Sequence, residues 1–296
     1  MRHTGIVLAA MLLAAGSPAS SMGPIFAHWI DGTTANEPET QVQRIDANTF
    51  VIRQSVKTNF EAPFLYLVFG KERVLLIDSG AGGLKVRPTI DRLIAEWQIR
   101  NGGQPIHLVV AHSHGHGDHH AGDDEFRDRP NTDVVGLKAQ EVAAFFRLAD
   151  WPNQIGHYDL GGRVLDIVPT PGHEPAHIMV YDARTRLMFS GDTLYPGRIY
   201  VPINQFDVFR ASTDRLAAFA RTHPIRALLG AHIEMTTSAG QDYPMEAAAH
   251  PSEHGLALPP ANIGELQRAA AGAQFPPLID RHADFIIYPV PARPTS

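Results

Sequence analysis

Cysteine is missing from all 296 residues. Its absence excludes disulfides, thiolate zinc ligands, a cysteine nucleophile and an acylated lipoprotein anchor. A basic excess is missing too: 25 Lys and Arg stand against 31 Asp and Glu, for a net charge of −6. The electrostatic footprint of a nucleic-acid-binding protein is therefore lacking. No Gly-x-Ser-x-Gly elbow supports a serine hydrolase, and no internal repeat is found. The one N-terminal apolar run, Ile6 to Ala15, is too short for a stable bilayer anchor, which takes about 20 residues. Disorder is also disfavoured, because 44% of the residues are hydrophobic and the length is ample for a buried core.

What the chain does have is histidine, concentrated in one stretch. Ala111 to Gly122 reads AHSHGHGDHHAG and holds five imidazoles with Asp118 among them. Just before it, Ile106-His107-Leu108-Val109-Val110 is a short apolar, β-branched run that reads as a buried strand. A strand thus delivers imidazoles and a carboxylate to a loop at a sheet edge. Those are the ligand types that suit zinc and similar divalent metals. Taken alone, such a stretch also fits a polar loop or an adventitious metal-binding tract.

The ends of the chain read differently. Arg2, the apolar run and Ala19-Ser20-Ser21 have the order of a secretory signal over residues 1–21. The expectation is an exported protein, secreted or periplasmic, with no stable membrane anchor once the signal is removed. Residues 22–296 then form a single domain, with a loose N-terminal arm and a C-terminal extension from about residue 240. The extension contains a short helix near Ile263 to Ala271 and a strand at Phe285 to Tyr288, and is expected to pack at the domain edge or near a pocket mouth.

Between the ends, strands and helices alternate. Val42 to Arg53 suggests a hairpin broken at Asp46-Ala47-Asn48, and Ala62 to Phe69 and Arg73 to Ile77 are two further strands. Leu84 to Arg100 is a helix with Ile90, Leu93, Ile94 and Trp97 on one face, stopped by Asn101-Gly102-Gly103. Asp133 to Leu137 is a strand and Lys138 to Ala149 a helix. Trp151 to Gly162 is a loop that either lines a substrate pocket or only connects. Arg163 to Val168 is a strand, Ile178 to Tyr181 and Leu187 to Phe189 a hairpin, Ser212 to Thr222 a helix capped by Ser or Thr, and Ile225 to Leu229 a strand. The order implies a layered α/β fold.

His114-Gly-His116-Gly-Asp118-His119 fits H-x-H-x-D-H, and downstream come Thr170-Pro171-Gly172-His173, Ser190-Gly191-Asp192-Thr193-Leu194 and Gly230-Ala231-His232. In these motifs the chain resembles the metallo-β-lactamase superfamily, from about residue 40 to 235. The resemblance implies a four-layer αβ/βα sandwich, two mixed sheets flanked by helices. It implies one metal held by His114, His116 and His173, a second by Asp118, His119 and His232, and Asp192 shared between them. Two zinc ions are expected, with iron or manganese as alternatives. A water or hydroxide held between the metals would attack the substrate, and Asp118 could orient it. His177 matches a buried supporting histidine, and Asp78 is either such a support or an ordinary turn residue. Tyr195 is a candidate hydrogen-bond donor to a developing oxyanion, or an aromatic wall.

Asp192 matches the ligand set of glyoxalase II-like hydrolases and lactonases, whereas true metallo-β-lactamases mostly carry Cys or Ser there. The leading expectation is an exported dinuclear zinc hydrolase of a small-molecule ester, thioester, lactone or amide. A β-lactamase is the runner-up, and a mononuclear-iron enzyme resembling persulfide dioxygenase is a third reading. The complete set Asp118, His119 and His232 weighs against the iron enzyme. Substrate choice is expected to lie in the loops 151–162 and 195–210 and in the C-terminal extension.

Overall fold

The computed structural model describes residues 25–292; the expected signal segment lies outside them. The first sheet has six strands in sequential order. They are β1 (Thr40–Asp46), β2 (Thr49–Gln54), β3 (Phe64–Phe69), β4 (Arg73–Ile77), β5 (His107–Ala111) and β6 (Thr132–Val134). β1 to β4 are antiparallel, and β4, β5 and β6 run parallel. Helix α1 (Arg87–Arg100) crosses from β4 to β5, and two single turns, α2 (Gly117–His120) and α3 (Asp124–Arg127), follow β5. Helix α4 (Ala139–Phe146) leads to the second half.

That half begins with β7 (Gly156–Asp159), β8 (Val164–Pro169), β9 (Ile178–Asp182) and β10 (Leu187–Gly191), continues through β11 (Arg198–Pro202) and helix α5 (Phe206–Ala220), and reaches β12 (Ala227–Gly230). The C-terminal extension adds β13 (Ala257–Leu258), α6 (Ala261–Gly272), β14 (Asp280–Arg281) and β15 (Ile286–Val290). The second six-stranded sheet has the order β13-β12-β10-β9-β8-β7 and is mixed, since β10 and β12 are parallel. A small third sheet, β11-β15-β14, stands beside it.

Strand periodicity explains the layers. Along β2 and β3, Val51, Phe64, Tyr66 and Val68 point between the two sheets, where they meet Leu165, Ile167, Val180 and Phe189. The alternate residues Ile52, Leu65, Leu67 and Phe69 point outward onto Ile90, Leu93, Ile94 and Trp97 of α1. On the far face, Met179, Tyr181, Met188 and Leu228 pack against Phe209, Leu216 and Phe219 of α5 and Leu266 of α6. Strands buried on both faces read as continuous apolar runs, as these do. The result is the expected α/β sandwich: two mixed six-stranded sheets flanked by helices.

Four expectations need correction. Helix α5 starts at Phe206, not Ser212, because Phe206 and Phe209 bring a further apolar turn into the core. Ser212 is therefore interior, and its hydroxyl donates to Pro171 O at 2.5 Å, tying α5 to the loop that carries His173. Helix α4 stops at Phe146, where Arg147 turns left-handed at φ 58°, short of the expected Ala149. Residues 156–159 of the expected 151–162 loop form the edge strand β7, paired with β8. Finally, β11 lies within the segment read as loop; its parallel partner β15 is far along the chain, so no hairpin signal marks it.

Candidate metal centre

Five strand ends supply the centre. β4 ends before Asp78, β5 before the 112–119 loop, β8 before His173, β10 before Asp192 and β12 before His232. Cross-sheet hydrogen bonds close this end of the sandwich: Ile178 N donates to Ser113 O at 2.8 Å and Phe64 N to Ala231 O at 2.7 Å. Tyr66 adds its hydroxyl to Gly230 O. Gly191, at φ +50°, allows a close approach, because a Cβ there would lie 2.7 Å from His177 Nε2 and 2.8 Å from Ser113 Cβ.

The side chains expected as ligands converge in two groups. His114, His116 and His173 form one, and Asp118, His119, Asp192 and His232 the other; within each, potential ligand atoms lie within 4.8 Å of one another. In the first, His114 Nε2 is 2.8 Å from His116 Nδ1 and 3.2 Å from His173 Nε2. In the second, Asp118 Oδ2 is 3.0 Å from His119 Nε2 and 3.2 Å from His232 Nε2. Asp192 reaches both: Oδ2 lies 3.5 Å from His119 Nε2, 3.7 Å from His173 Nε2 and 3.8 Å from His114 Nε2, and Oδ1 lies 3.5 Å from His232 Nε2.

The outward nitrogens fix the ring orientations. His173 Nδ1 lies 2.6 Å from the carbonyl oxygen of Tyr200, and His232 Nδ1 lies 2.7 Å from that of Glu61. A carbonyl only accepts, so each Nδ1 carries a proton and Nε2 is the nitrogen turned inward. His119 Nδ1 lies 2.9 Å from Asp78 Oδ2, which likewise leaves Nε2 facing inward. This is how metal-binding imidazoles are held.

Charge tells the same story. Burial works against ionisation, yet His119 and His232 hold the carboxyls of Asp118 and Asp192 well below the usual range. Burial likewise opposes charge on His232, but Asp192 and Asp118 push it up to about 10. His119 rises well above its ordinary value against the same burial, drawn by Asp118, Asp78 and Asp192. His114 goes the other way, well below, through burial and the imidazoles around it. Asp192 Oδ1 is also buried without a hydrogen-bond partner. Inward-facing ring nitrogens, an orphaned carboxylate oxygen and a field that calls for positive charge fit a pair of divalent cations.

The backing layer was only partly visible in the sequence. Asp78 supports the metal loop: its carboxylate accepts from Ser113 N at 2.6 Å and Ser113 Oγ at 3.0 Å as well as from His119. His177 is a support too; its Nε2 accepts from Asp192 N at 3.1 Å and its Nδ1 lies 2.8 Å from Thr170 Oγ1. Sequence reasoning missed His112 and Asp123. They are buried behind the loop with His112 Nε2 2.8 Å from Asp123 Oδ1, which also accepts from Ser79 Oγ. Their nearness to the motif was the only signal available.

Replacing Asp78 by Ala should weaken metal affinity about 10–100-fold, the usual cost of losing such a support. Asp78 sits at φ 67°, which Asn tolerates better than Ala, so Asp78→Asn should retain more affinity. Competition with a chromophoric chelator measures both; unchanged affinity in Asp78→Ala would remove the supporting role.

Tyr195 is corrected. Its hydroxyl donates to Arg198 O at 2.5 Å, with Glu234 Oε2 at 3.2 Å, and the side chain is buried. Its proton is committed to the backbone, so the residue is an aromatic wall beside His232, ring centroids 5.8 Å apart. Two phenols, Tyr200 and Tyr243, line a cavity next to the centre, together with Phe60, Glu61, Glu234 and Pro244 to Glu246. Trp151, Pro152, Asn153 and Ile155 border two other grooves, and no residue of 151–162 lines this cavity.

Known proteins resemble the chain in sequence and fold. Hydroxyacylglutathione hydrolase of Rhizobium meliloti (strain 1021) is 28% identical over 120 residues, 38% of this chain and 43% of the relative. The match thus spans less than half of that protein. Acyl-coenzyme A thioesterase MBLAC2 of Gallus gallus is 25% identical over 207 residues, 58% of this chain and 72% of the relative. Among solved structures, DIM-1 metallo-beta-lactamase aligns with a TM-score of 0.50 at 14% identity, over 79% of this chain and 98% of that one. A metallo-beta-lactamase from Pontibacter korlensis gives 0.49 at 16%, over 79% and 99%. The family profile described as Metallo-beta-lactamase superfamily matches residues 59–232. That span takes in more than half of the chain and every side chain meeting at the centre, and it makes this protein a member of the metallo-β-lactamase superfamily.

Proposed function

We propose that the protein is an exported dinuclear zinc hydrolase that cleaves an ester, thioester, lactone or amide of a small molecule. The observation that carries the dinuclear reading is Asp192, whose carboxylate lies between both ligand groups with one oxygen lacking a hydrogen-bond partner. His114, His116 and His173 would hold one ion, Asp118, His119 and His232 the other, and Asp192 both. Zinc bound there would bring the pKa of a coordinated water to about 7 and so supply a nucleophile at neutral pH. Asp118 is the least buried of the carboxylates in the centre, at 21% side-chain exposure against 8% for Asp192. It stands where an acceptor can take and orient a proton from the attacking water. The Nδ1 anchors keep the imidazoles still, so little reorganisation is needed when charge develops.

Acyl transfer to water is supported by the names of the two sequence relatives, a hydroxyacylglutathione hydrolase and an acyl-coenzyme A thioesterase. Export is supported by Arg2, the Ile6 to Ala15 run and Ala19-Ser20-Ser21.

Metal analysis beside a hydrolysis panel tests the reading. The panel contains simple esters, thioesters including S-lactoylglutathione, acyl-lactones and nitrocefin. The expected result is about two zinc per chain and turnover of an ester, thioester or lactone, lost on chelation and restored by zinc. Efficient nitrocefin cleavage would make the protein a β-lactamase instead. One iron per chain with sulfur-dependent oxygen uptake would overturn the hydrolase assignment.

A further inference from the structure

The cavity beside the metal centre is small, about 120 Å³, against about 300–1,000 Å³ for sites that enclose a drug-sized ligand. It has room for one group of a substrate. Its position is set by the ligands themselves. Glu61 and Tyr200, which line it, are the residues whose carbonyls anchor His232 and His173, one from each ligand group. The cavity therefore adjoins the two segments that anchor one histidine of each ligand group.

The lining has an uneven charge balance. Glu61, Glu234 and Glu246 face one guanidinium, Arg198, and the imidazole of His250. Arg198 is paired with two carboxylates: it lies 3.3 Å from Glu234 Oε1 and 3.0 Å from Asp242 Oδ2, and it donates to Tyr243 O at 2.8 Å, while its Nε is buried without a partner. Glu234 is taken up by Arg198 and its backbone N–H, which donates at 2.6 Å. His250 pairs with Glu253 at 3.0 Å. Glu246 is exposed. Glu61 is half-buried, and among the described residues its carboxylate has no hydrogen-bond or salt-bridge partner. No cation in the cavity remains to meet an anionic substrate. The other large side chains are aromatic or apolar, namely Phe60, Tyr200, Tyr243 and Met245. Aromatic rings around an unpaired carboxylate are the surroundings that favour an ammonium group.

Resting on the hydrolase reading above, we infer that this cavity receives a small cationic group of the substrate, an ammonium or quaternary ammonium, with Glu61 as its counter-charge. The geometry assigns Glu61 to specificity: it selects cationic acyl compounds and disfavours anionic ones such as glutathione or coenzyme A thioesters.

The test uses the zinc-loaded protein and two readouts. Calorimetry compares choline with its uncharged isostere 3,3-dimethylbutanol. Kinetics compare acetylthiocholine with 3,3-dimethylbutyl thioacetate and with S-lactoylglutathione. The wild type should bind the cation about tenfold more tightly than the isostere, a preference that shrinks as salt rises. The ratio of kcat/KM values, cationic over neutral, should be of similar size. In Glu61→Gln both ratios should fall to near one. Glu61 anchors His232 through its backbone, so metal content should stay that of the wild type. Glu61→Lys should reverse the order, favouring the anionic thioester. Equal binding of cation and isostere by the wild type, or an undiminished preference in Glu61→Gln, would overturn the inference. If the binding preference holds and depends on Glu61 but no acyl compound is turned over, the hydrolase reading fails and the cation site stands.

Discussion

Asp192→Ala should lose metal and turnover together. Metal content should fall below two per chain, and kcat/KM should drop by more than about 100-fold, beyond the usual cost of removing a mere support. The reason is positional. The Asp192 carboxylate lies between 3.5 and 3.8 Å from nitrogens of both ligand groups, whereas Asp118 Oδ2 faces only His119 and His232. Asp192→Asn keeps the shape and loses the charge, so it should fall between the wild type and Ala. Atomic absorption on the purified variants and kinetics on the best substrate of the panel decide the matter. Unchanged metal content and turnover in Asp192→Ala would remove the bridging role.

The largest loss of stability is expected far from the centre. Arg163 precedes β8, at the end opposite His173, and its side chain is buried. Its guanidinium lies 2.6 Å from Asp182 Oδ2 and donates to Asn48 O and Phe69 O at 3.0 Å each and to Thr49 Oγ1 at 2.7 Å. It thus joins the second sheet to the edge of the first. Arg163→Met strands a buried carboxylate, a loss of about 3–5 kcal/mol and a fall in Tm on the order of 10 °C. Replacing both partners, Arg163→Met with Asp182→Asn, should recover much of that, because no lone charge remains.

This pair also sets a pH dependence. Burial opposes ionisation of Asp182, but Arg163 and Thr185 hold its pKa below the ordinary 3.8. A folded-state pKa below the unfolded one contributes stability that is present above about pH 4 and lost as pH falls through the folded value. In Arg163→Met the guanidinium no longer opposes burial, and only the hydrogen bonds from the 184–185 turn still favour the ionised carboxyl. The stability gap between wild type and variant should therefore be full at pH 7 and narrow below pH 4. Urea denaturation at the two pH values measures it. Metal content per folded chain should not change, which separates this defect from that of Asp192→Ala. A gap that is the same at both pH values would show that the ion pair is not its source.

Much of this was legible without coordinates. The motif H-x-H-x-D-H and the downstream His173, Asp192 and His232 sit directly after short apolar runs, and each run proved to be a strand. Alternation in β2 and β3 and the one-faced apolar pattern of α1 are local signals, because they follow from the geometry of the element alone. The start of α5 was misread because Ser212 has the chemistry of a cap; its hydroxyl instead meets Pro171, 41 residues away. Strand β11 was invisible because its partner β15 lies in the extension.

The sequence by itself determined the ligand types, their order and the family they belong to. Imidazoles and carboxylates after strands state their own chemistry. Only the tertiary structure decided which nitrogen of each ring faces inward, that Asp192 lies between both groups, and that Tyr195 is occupied while Glu61 is not. The physical reason is that these properties depend on partners far along the chain. The bond that orients His232 comes from the carbonyl of Glu61, 171 residues away, and a backbone carbonyl leaves no mark in the sequence by which its partner can be recognised.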